Sequence, residues 1–484
     1  MDAHPDENLK AEVIVHEEDV RAKKIIRKVL WKLDTRVLPV LALLFLCSFL
    51  DRTNVGNAKI LGLEKDLGIT NGQYANSLCI FYAFYIASEL PSNLVLKRIS
   101  PRVWLPTLTV LWGIVGMSLG FVRNEADFLA VRALLGLTEG GLLPGMVLYL
   151  SSMYTRGELA LRIGLFYTTA SLSGAFGGLL ARGLSAIPTT STVDASWRWI
   201  MIIEGLLTSV IGALAYLVLP NSVATASFLS QEEKEVAQSR LQQSHTATLP
   251  LSAGPPDPER FKWSEVARGL KSPQLWLSGT AYFAILAALY SFGLFLPTIV
   301  VQLGYTANKA QLMSVPPYAV AAVITVVIAY ISDRLKLRGV VMLFSLPVAI
   351  IGYAAISQLP DSNPNAKYGM VFLMATGLYG SVPPVLVWIS NNSAGHYKRA
   401  TTTAAQLAIA NCGGFVTAFI YPNSEKPSYR KSHEIVLGLL CYAWLAVLLN
   451  VFYCAKVNRD KARGKYDRYA GLGDDREPAF KMVL

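Results

Sequence analysis

The chain has 484 residues, of which 53% are hydrophobic and 16% are charged, and its formal net charge is +11 at pH 7. Soluble domains carry about 25% charged residues, and the deficit here is spread along the whole chain. This excludes a soluble globular protein and indicates many membrane spans. The Lys and Arg residues lie in short clusters between apolar runs, as the positive-inside rule distributes them, so the positive charge does not indicate a nucleic-acid partner.

Apolar runs of near-bilayer length recur twelve times, as two groups of six separated by a polar linker. In chain order, spans 1 to 12 are predicted at 36–56, 74–96, 103–121, 127–149, 161–183, 198–219, 275–300, 311–331, 339–358, 367–390, 400–421 and 434–455. The predicted fold is therefore an all-α membrane protein with twelve transmembrane helices in two pseudo-symmetric six-helix bundles. The predicted parts are a tail at 1–35, a bundle at 36–219, a linker at 220–273, a bundle at 274–456 and a tail at 457–484.

The polar segments outside the spans have distinct compositions. Val20–Leu33 is basic and amphipathic, and it is predicted either to lie on the membrane surface or to extend span 1 into the cytosol. In the linker, Gln231–Arg240 predicts a charged helix, and Gln242–Pro258 is rich in Ser, Thr and Pro and is predicted to be disordered. Phe261–Leu270 is amphipathic and could lie on the membrane surface before span 7.

The distribution of basic residues predicts the orientation. With the N-terminus in the cytoplasm, 32 of the 44 Lys and Arg residues fall on cytoplasmic segments, ten on outer loops and two within spans. This asymmetry predicts that both termini are cytoplasmic.

Five ionisable residues stand out within the apolar runs: Asp51 and Arg52 in span 1, Glu89 in span 2, and Arg132 and Glu139 in span 4. A charged side chain at the centre of a bilayer costs about 2.5–3.5 kcal/mol on insertion scales. Such residues are kept where they face one another, a partner or a water-filled cavity, so they are the first candidates for a functional site.

The spacing of these residues limits their contacts. Arg132 and Glu139 lie two turns apart on one helix face, whereas Asp51 and Arg52 are adjacent and point in different directions. We expect Asp51 to meet Arg132, which leaves Arg52 and Glu139 facing the cavity. The alternative is a buried ion-pair network that only holds the helices together.

Two loops support an internal repeat. Lys97-Arg98 follow span 2, Asp333-Arg334 follow span 8, and in both loops a further Arg comes four residues after the pair. In degenerate form these loops resemble the G-x-x-x-D-R loop of the major facilitator superfamily, with Lys97 replacing the Asp in the first copy. The resemblance implies a cytoplasmic gate that includes Arg98, Asp333 and Arg334.

Further motifs within the spans resemble the anion:cation symporter family of that superfamily, and its fungal branch of allantoate, nicotinate, pantothenate and biotin permeases. They are Leu50-Asp51-Arg52-Thr53-Asn54, Glu89-Leu90-Pro91-Ser92-Asn93, Arg132-x-x-x-Gly136-x-x-Glu139-Gly140-Gly141 and Trp197-Arg198-Trp199-Ile200.

The resemblance implies residue roles: proton coupling for Asp51 and Glu139, binding of the substrate carboxylate for Arg52, pairing with the acids near the substrate for Arg132, and a place in the cavity for Tyr85. Glu89 stands where bacterial relatives often have a neutral polar residue, so it is a third proton-coupling candidate whose titration is open.

Other polar residues within the spans are candidates from their position alone. Trp388, Asn411 and Tyr290 could contact substrate, although hydrogen bonding between helices explains them equally well. Arg198 and Glu204, at the start of span 6, are expected to be structural.

Together these features predict a secondary transporter that carries a small organic anion, such as a monocarboxylate, into the cell by proton symport. An arginine fork suits a carboxylate, and a carboxylate in a low-dielectric interior can take up a proton. The chain is expected to be a monomer in the plasma membrane, with no catalytic residue, no metal and no cofactor besides the proton gradient. Export of a carboxylated metabolite and a transporter-like nutrient sensor are the alternatives.

Overall fold

The structure is a computed structural model that describes residues 5–190, 193–246, 263–360, 362–426, 428–471 and 474–484. In these ranges the chain is helical, with no strand. The α-helices are Pro5–Arg36, Leu38–Ile60, Leu63–Asp66, Asn71–Arg98, Pro101–Ser118, Glu125–Glu139, Leu142–Ser151, Arg156–Tyr167, Thr169–Leu184, Ser196–Val218, Gln231–Thr246, Trp263–Leu270, Pro273–Gln302, Ala307–Met313, Val315–Leu335, Arg338–Gln358, Pro364–Asn391, His396–Asn411, Gly413–Ile420 and Arg430–Ala462.

Twelve helical stretches of the described chain are long and apolar enough to cross a membrane. Several are interrupted near their middle; span 4, for example, breaks between Glu139 and Leu142 at a Gly-Gly pair. In chain order, spans 1 to 12 are Arg21–Ile60, Asn71–Leu96, Pro101–Phe121, Glu125–Ser151, Arg162–Leu184, Ser196–Val218, Pro273–Gln302, Ala307–Leu335, Arg338–Gln358, Pro364–Asn391, Tyr397–Ile420 and Arg430–Ala462.

The two halves of the chain repeat one packing pattern. In the first half, span 1 packs on spans 5 and 6, span 2 on span 4, and span 3 on span 6. In the second half, span 7 packs on spans 11 and 12, span 8 on span 10, and span 9 on span 12. Adding six to each span number converts the first set of pairs into the second. The predicted fold of two pseudo-symmetric six-helix bundles is confirmed.

The N-terminal basic segment extends span 1. The helix Pro5–Arg36 is followed by Leu38–Ile60 with only Val37 between them, and Val37 has helical backbone angles. The Val37 amide donates to the Leu33 carbonyl and the Val37 carbonyl accepts from the Leu41 amide, so helical hydrogen bonds join the two helices. Of the two alternatives for Val20–Leu33, the structure therefore gives the extension of the span.

The linker packs against this extension where the structure describes it. The helix Gln231–Thr246 covers the predicted charged helix, and Glu233 accepts from Lys32 of span 1 at 2.7 Å. The predicted disordered segment Gln242–Pro258 lies mostly outside the described residues, and its first residues continue this helix. Of the predicted amphipathic segment, the structure describes Trp263–Leu270 as a helix.

The bundles meet most closely at one face of the molecule. We call the side where span 1 begins and span 12 ends the terminal face, and the other side the opposite face. Towards the opposite face, a Cβ at Gly56 of span 1 would overlap the Leu294 carbonyl of span 7, and a Cβ at Gly178 of span 5 would lie 2.5 Å from the Gln311 carbonyl. The structure is therefore closed towards the opposite face.

A folded C-terminal segment covers the second bundle at the terminal face. We call residues 474–484 the C-terminal strap. The Val483 amide and carbonyl bond the Asn392 side chain at 2.7 and 2.8 Å, and the Met482 amide and carbonyl bond the Asn458 side chain at 2.8 Å each. The strap thus joins spans 10 and 12.

Candidate functional site

Span 4 approaches span 2 through a row of glycines. A Cβ at Gly136 would overlap the Phe81 carbonyl, and one at Gly140 would overlap the Tyr85 carbonyl. Small residues in such a row allow two membrane helices to touch at their backbones. This contact fixes the rotation of span 4 and so decides where the side chains of Arg132 and Glu139 lie.

The centre of the site is an ion pair between spans 1 and 4. Arg52 Nη2 and Nε lie 2.9 and 3.1 Å from the same carboxylate oxygen of Glu139, and the Ser48 hydroxyl donates to that oxygen at 2.7 Å. The other oxygen of Glu139 is buried and has no hydrogen-bond partner. All the contacts therefore converge on one oxygen.

Aromatic rings surround the Arg52 guanidinium. Its central carbon lies 4.8 Å from the ring centre of Tyr85, 5.1 Å from that of Phe49 and 5.3 Å from that of Tyr290. Such faces attract a cation and exclude water from it. A narrow pocket next to this cluster is lined by Phe49, Arg52, Thr53, Tyr82, Leu289, Tyr290, Gly293, Leu294 and Tyr379.

A hydrogen-bond chain continues from Arg52 into the second bundle and back. Arg52 Nη1 donates to the Tyr290 hydroxyl at 3.0 Å, and that hydroxyl donates to the side-chain oxygen Oδ1 of Asn411 at 3.2 Å. The Asn411 amide then donates to Glu89 at 2.5 Å. Two carboxylates of the first bundle are thus linked through spans 7 and 11 of the second, at the interface between the two bundles.

The expected contact between Asp51 and Arg132 is wrong. Asp51 accepts a hydrogen bond from the Trp112 indole of span 3, and the Arg132 guanidinium lies 4.6 Å from the ring centre of Phe81. The glycine contact between spans 4 and 2 places Arg132 beside Phe81 of span 2, and within the described chain Arg132 forms no ion pair with Asp51. Arg52, which was expected to face the cavity with Glu139, does line the narrow pocket, and the two residues are also paired with each other.

Trp388 is not part of this site. Its side chain is buried at the terminal face, and its indole donates to the Val483 carbonyl of the strap at 2.8 Å. The strap therefore accepts the hydrogen bond of the indole N–H, which is the polar group that made Trp388 a candidate. The structure also brings in Ser48, which sequence reasoning missed; its position one turn before Arg52 on span 1 was the available signal.

The gate candidates remain apart from the central site. Asp333 pairs with Arg338 of its own loop at 2.6 Å. Arg98 and Arg334 are exposed, and within the described chain neither forms an ion pair. Asp333 and Arg338 line a crevice at the terminal face that also contacts Gly164 of span 5, so this loop does lie where the two bundles meet.

Two helical bundles of membrane-spanning length, with a buried ion pair in the first, define a polytopic membrane protein. The model of the Major Facilitator Superfamily matches residues 41–418. The chain is 34% identical over 455 residues to an uncharacterized transporter of Schizosaccharomyces pombe, covering 93% of this chain and 89% of that one. It is 31% identical over 466 residues to the high-affinity nicotinic acid transporter of Saccharomyces cerevisiae, covering 94% and 85%.

The crystal structure of a D-xylose-proton symporter has the same fold, with a TM-score of 0.63 at 14% identity, covering 86% of this chain and 97% of that one. The chain belongs to the major facilitator superfamily, and the predicted likeness to its fungal members is confirmed. It is an integral multi-pass membrane protein that moves a small molecule across a lipid bilayer. Its relatives are transporters, not enzymes, and such transporters need no cofactor.

Proposed function

We propose that the protein is a proton symporter of small organic monocarboxylates, in which Arg52 binds the substrate carboxylate and Glu139 carries the coupled proton. The observation that carries this proposal is the Arg52–Glu139 pair, buried between spans 1 and 4. An internal carboxylate occupies the donors of Arg52 that a substrate carboxylate would need. Substrate and Glu139 therefore compete for one cation.

The competition supplies the coupling. A proton on Glu139 removes its negative charge, and Arg52 then exchanges the neutral acid for the substrate carboxylate. After the substrate leaves, the pair forms again only when Glu139 has lost its proton. Proton and anion thus move together without a metal or nucleotide, and Asp51 and Glu89 are the further proton-coupling candidates.

The second bundle completes the proposed binding site. In the second bundle, Tyr290 accepts a hydrogen bond from Arg52 and Asn411 donates one to Glu89. A ligand that replaces these hydrogen bonds would therefore be held by both bundles. Tyr85 and Tyr290 offer ring faces beside the cation, which suits a flat or aromatic acid. The relative named as a nicotinic acid transporter supports this class of substrate.

The proposed orientation places the terminal face in the cytoplasm of a plasma-membrane protein. The basic tails, the linker and four short loops lie on that face, as the positive-inside rule requires. The structure is closed towards the opposite face, which in this orientation is the outer side of the membrane. Arg98, Asp333 and Arg334 would then close the cytoplasmic side in the outward-open state.

The test is a thermal-shift screen of the purified protein against nicotinate, pantothenate, biotin and allantoate, at about pH 5 and about pH 7.5. A ligand present at about 100 times its dissociation constant stabilises the protein by about 2.7 kcal/mol. We expect a carboxylate to stabilise it more at the lower pH, because a proton on Glu139 releases Arg52. Stabilisation by a neutral or cationic solute, and by none of the acids, would refute the assigned role of Arg52.

Uptake into proteoliposomes then separates transport directions and a sensor. With the ligand from the screen, an inward proton gradient should drive accumulation above the outside concentration. Accumulation only with an outward gradient would indicate export, and binding without flux would indicate a sensor.

A further inference from the structure

A second group of buried acids lies on the side of span 1 that faces away from Arg52. It consists of two acids, Asp51 of span 1 and Glu204 of span 6, and their hydrogen-bond donors, Trp112 of span 3 and Asn54 of span 1. We call these four residues the second acidic cluster. All four side chains are buried, with exposed fractions of 9% for Asp51, 3% for Glu204 and 0% for Asn54 and Trp112. Sequence reasoning had assigned Glu204 to a structural role.

Each acid of the second acidic cluster receives one uncharged donor. The Asn54 side-chain amide donates to Glu204, and the Trp112 indole donates to Asp51. Asp51 and Asn54 lie three residues apart on span 1, so both project from one helix face. That face points into the first bundle, towards spans 3 and 6.

A close crossing of spans 3 and 6 brings the two acids together. A Cβ at Gly113 would lie 2.6 Å from the Ser209 amide and 2.7 Å from the Gly205 carbonyl. A Cβ at Gly116 would lie 3.9 Å from both the Asp51 carboxylate and Gly205, the neighbour of Glu204. The crossing therefore places the Asp51 carboxylate beside the stretch of span 6 that carries Glu204.

The second acidic cluster has no ion-pair partner. Within the described chain no Lys, Arg or His lies within ion-pair distance of Asp51 or Glu204, and one carboxylate oxygen of Glu204 and the side-chain oxygen of Asn54 are buried without a hydrogen bond. An isolated charge in such an environment is very costly, and a carboxyl group avoids that cost by holding a proton.

The charged groups that act on the two acids are few. Asp51 faces Arg132 and Glu139 of span 4 and lies next to Arg52 on its own span. Of the charged groups in the described chain, Asp51 acts on Glu204, and the Cys47 thiol lies near both acids. Asp51 therefore stands between the Arg52–Glu139 pair and Glu204.

We propose that Glu204 and Asp51 form a second proton-binding site of the transporter, which binds one proton in addition to the proton of Glu139. This inference rests on the proposed proton symport. When Glu139 is protonated and Arg52 holds the substrate, the charges of span 4 that face Asp51 change. Asp51 passes that change to Glu204, so the proton is bound or released in step with the substrate. The transporter then moves two protons with each monoanion.

The first experiment does not depend on a substrate. Infrared difference spectra of the protein in lipid nanodiscs, recorded across a pH titration, detect the carbonyl band of each carboxyl group that gains a proton. We expect Glu204→Gln to remove one such band and Asp51→Asn to move the remaining Glu204 band to lower pH, because a neighbouring negative charge is gone. Glu434→Gln, at an exposed acid that begins span 12, is the control and should leave these bands unchanged.

The second experiment measures how many protons are transported with each anion. In proteoliposomes with nicotinate as the probe, the reversal potential of wild-type transport should correspond to two protons per monoanion, and that of Glu204→Gln to one. Glutamine keeps the shape of the side chain and can still accept from Asn54, so the variant should fold. Trp112→Phe, which removes the donor to Asp51, is a second variant expected to shift the infrared bands.

The outcomes separate the two hypotheses. If the Glu204 band persists at every pH, or if the stoichiometry is unchanged in Glu204→Gln, then Glu204 is a permanently protonated structural acid and the inference is refuted. If nicotinate and the other acids are not transported, the proposed function fails, and the infrared titration still decides whether the second proton site exists.

Discussion

Arg52 is held at once by an acid, by aromatic rings and by a hydroxyl of the opposite bundle. Glu139 neutralises it, Tyr85 and Phe49 cover it, and Tyr290 accepts a hydrogen bond from its third nitrogen, Nη1. Each of these partners comes from a different helix or helix turn. A single residue therefore contacts both bundles, as the proposed substrate-binding cation of an alternating-access transporter must do.

Removing Arg52 separates its binding role from its structural role. In Arg52→Ala the buried Glu139 loses its cation, and breaking a buried pair in this way costs about 3–5 kcal/mol. We expect lower thermal stability and no binding of the acid found in the screen. The double variant Arg52→Ala/Glu139→Gln should recover much of the stability but none of the binding, as a double-mutant cycle would show. Unchanged affinity in either variant would remove Arg52 from the site.

Glu139→Gln tests the coupled proton. The amide cannot release or take up a proton, so Arg52 is available to substrate at every pH. We expect exchange of internal for external substrate to continue, while accumulation driven by a pH gradient is lost and binding no longer strengthens as the pH falls. Radiolabelled exchange and net uptake in the same proteoliposomes provide the comparison. Full accumulation in the variant would place the coupled proton elsewhere.

At the scale of elements, close helix contacts position the side chains. The glycines of span 4 bring it against span 2, and this contact directs Arg132 to Phe81 and leaves Glu139 for Arg52. The strap has a comparable effect on the second bundle, because it ties spans 10 and 12 together through backbone hydrogen bonds to Asn392 and Asn458.

Asn392→Ala should loosen the strap. The variant leaves the amide of Val483 without its partner and removes one of the two donors to its carbonyl, and an unsatisfied buried polar group costs about 1–3 kcal/mol. We expect a lower unfolding temperature and faster proteolysis of residues 474–484. Asn391→Ala, at the neighbouring position, is the matched control. Equal effects of the two substitutions would show that the strap does not depend on these bonds.

The charged end of the strap should resist acid. Partial burial of Asp474 opposes its ionisation, but hydrogen bonds from Arg476 and Arg268 outweigh it and lower the pKa of Asp474 to about 2. Because the folded pKa is depressed, the stabilisation is present above the ordinary aspartate value of about 3.9 and is lost only as the pH falls towards 2. Proteolysis of the strap by an acid-tolerant protease should therefore not increase between about pH 7 and about pH 4.5. Asp474→Asn should weaken it at both values.

On the scale of the whole molecule, the two bundles are equivalent in packing but not in charge. The same span pairs pack in each half, yet the Arg52–Glu139 pair, the second acidic cluster and Glu89 all belong to the first bundle, while the second supplies Tyr290 and Asn411. In the proposed mechanism, one bundle therefore carries the substrate charge and the protons, and the other bundle contacts them through uncharged side chains.

Gly56→Ala should open the opposite face. The added methyl group would overlap the Leu294 carbonyl, so the closed arrangement of spans 1 and 7 becomes strained. We expect the population to shift towards a state open on that face, with several-fold faster labelling of Thr298→Cys by a membrane-impermeant thiol reagent. Gly183→Ala, where a Cβ meets nothing within 4 Å, is the control. Identical labelling in both would show that this contact does not close the face.

Much of the fold was predictable because hydropathy and charge act locally. Apolar runs of bilayer length and the clustering of Lys and Arg between them can be counted without knowing any contact, and the motif around Arg52 indicated the family. The ionisable residues of the site were visible for the same reason, since a charge within a span is costly wherever the helix packs.

The sequence by itself therefore determined the twelve spans, the family and the identity of the charged residues in the first bundle. Only the tertiary structure decided their partners: Glu139 for Arg52, Trp112 for Asp51, Phe81 for Arg132 and the strap for Trp388. The physical reason is that a partner depends on how each helix is rotated and how closely it approaches its neighbours. Those quantities are set by glycine contacts between residues far apart in the chain.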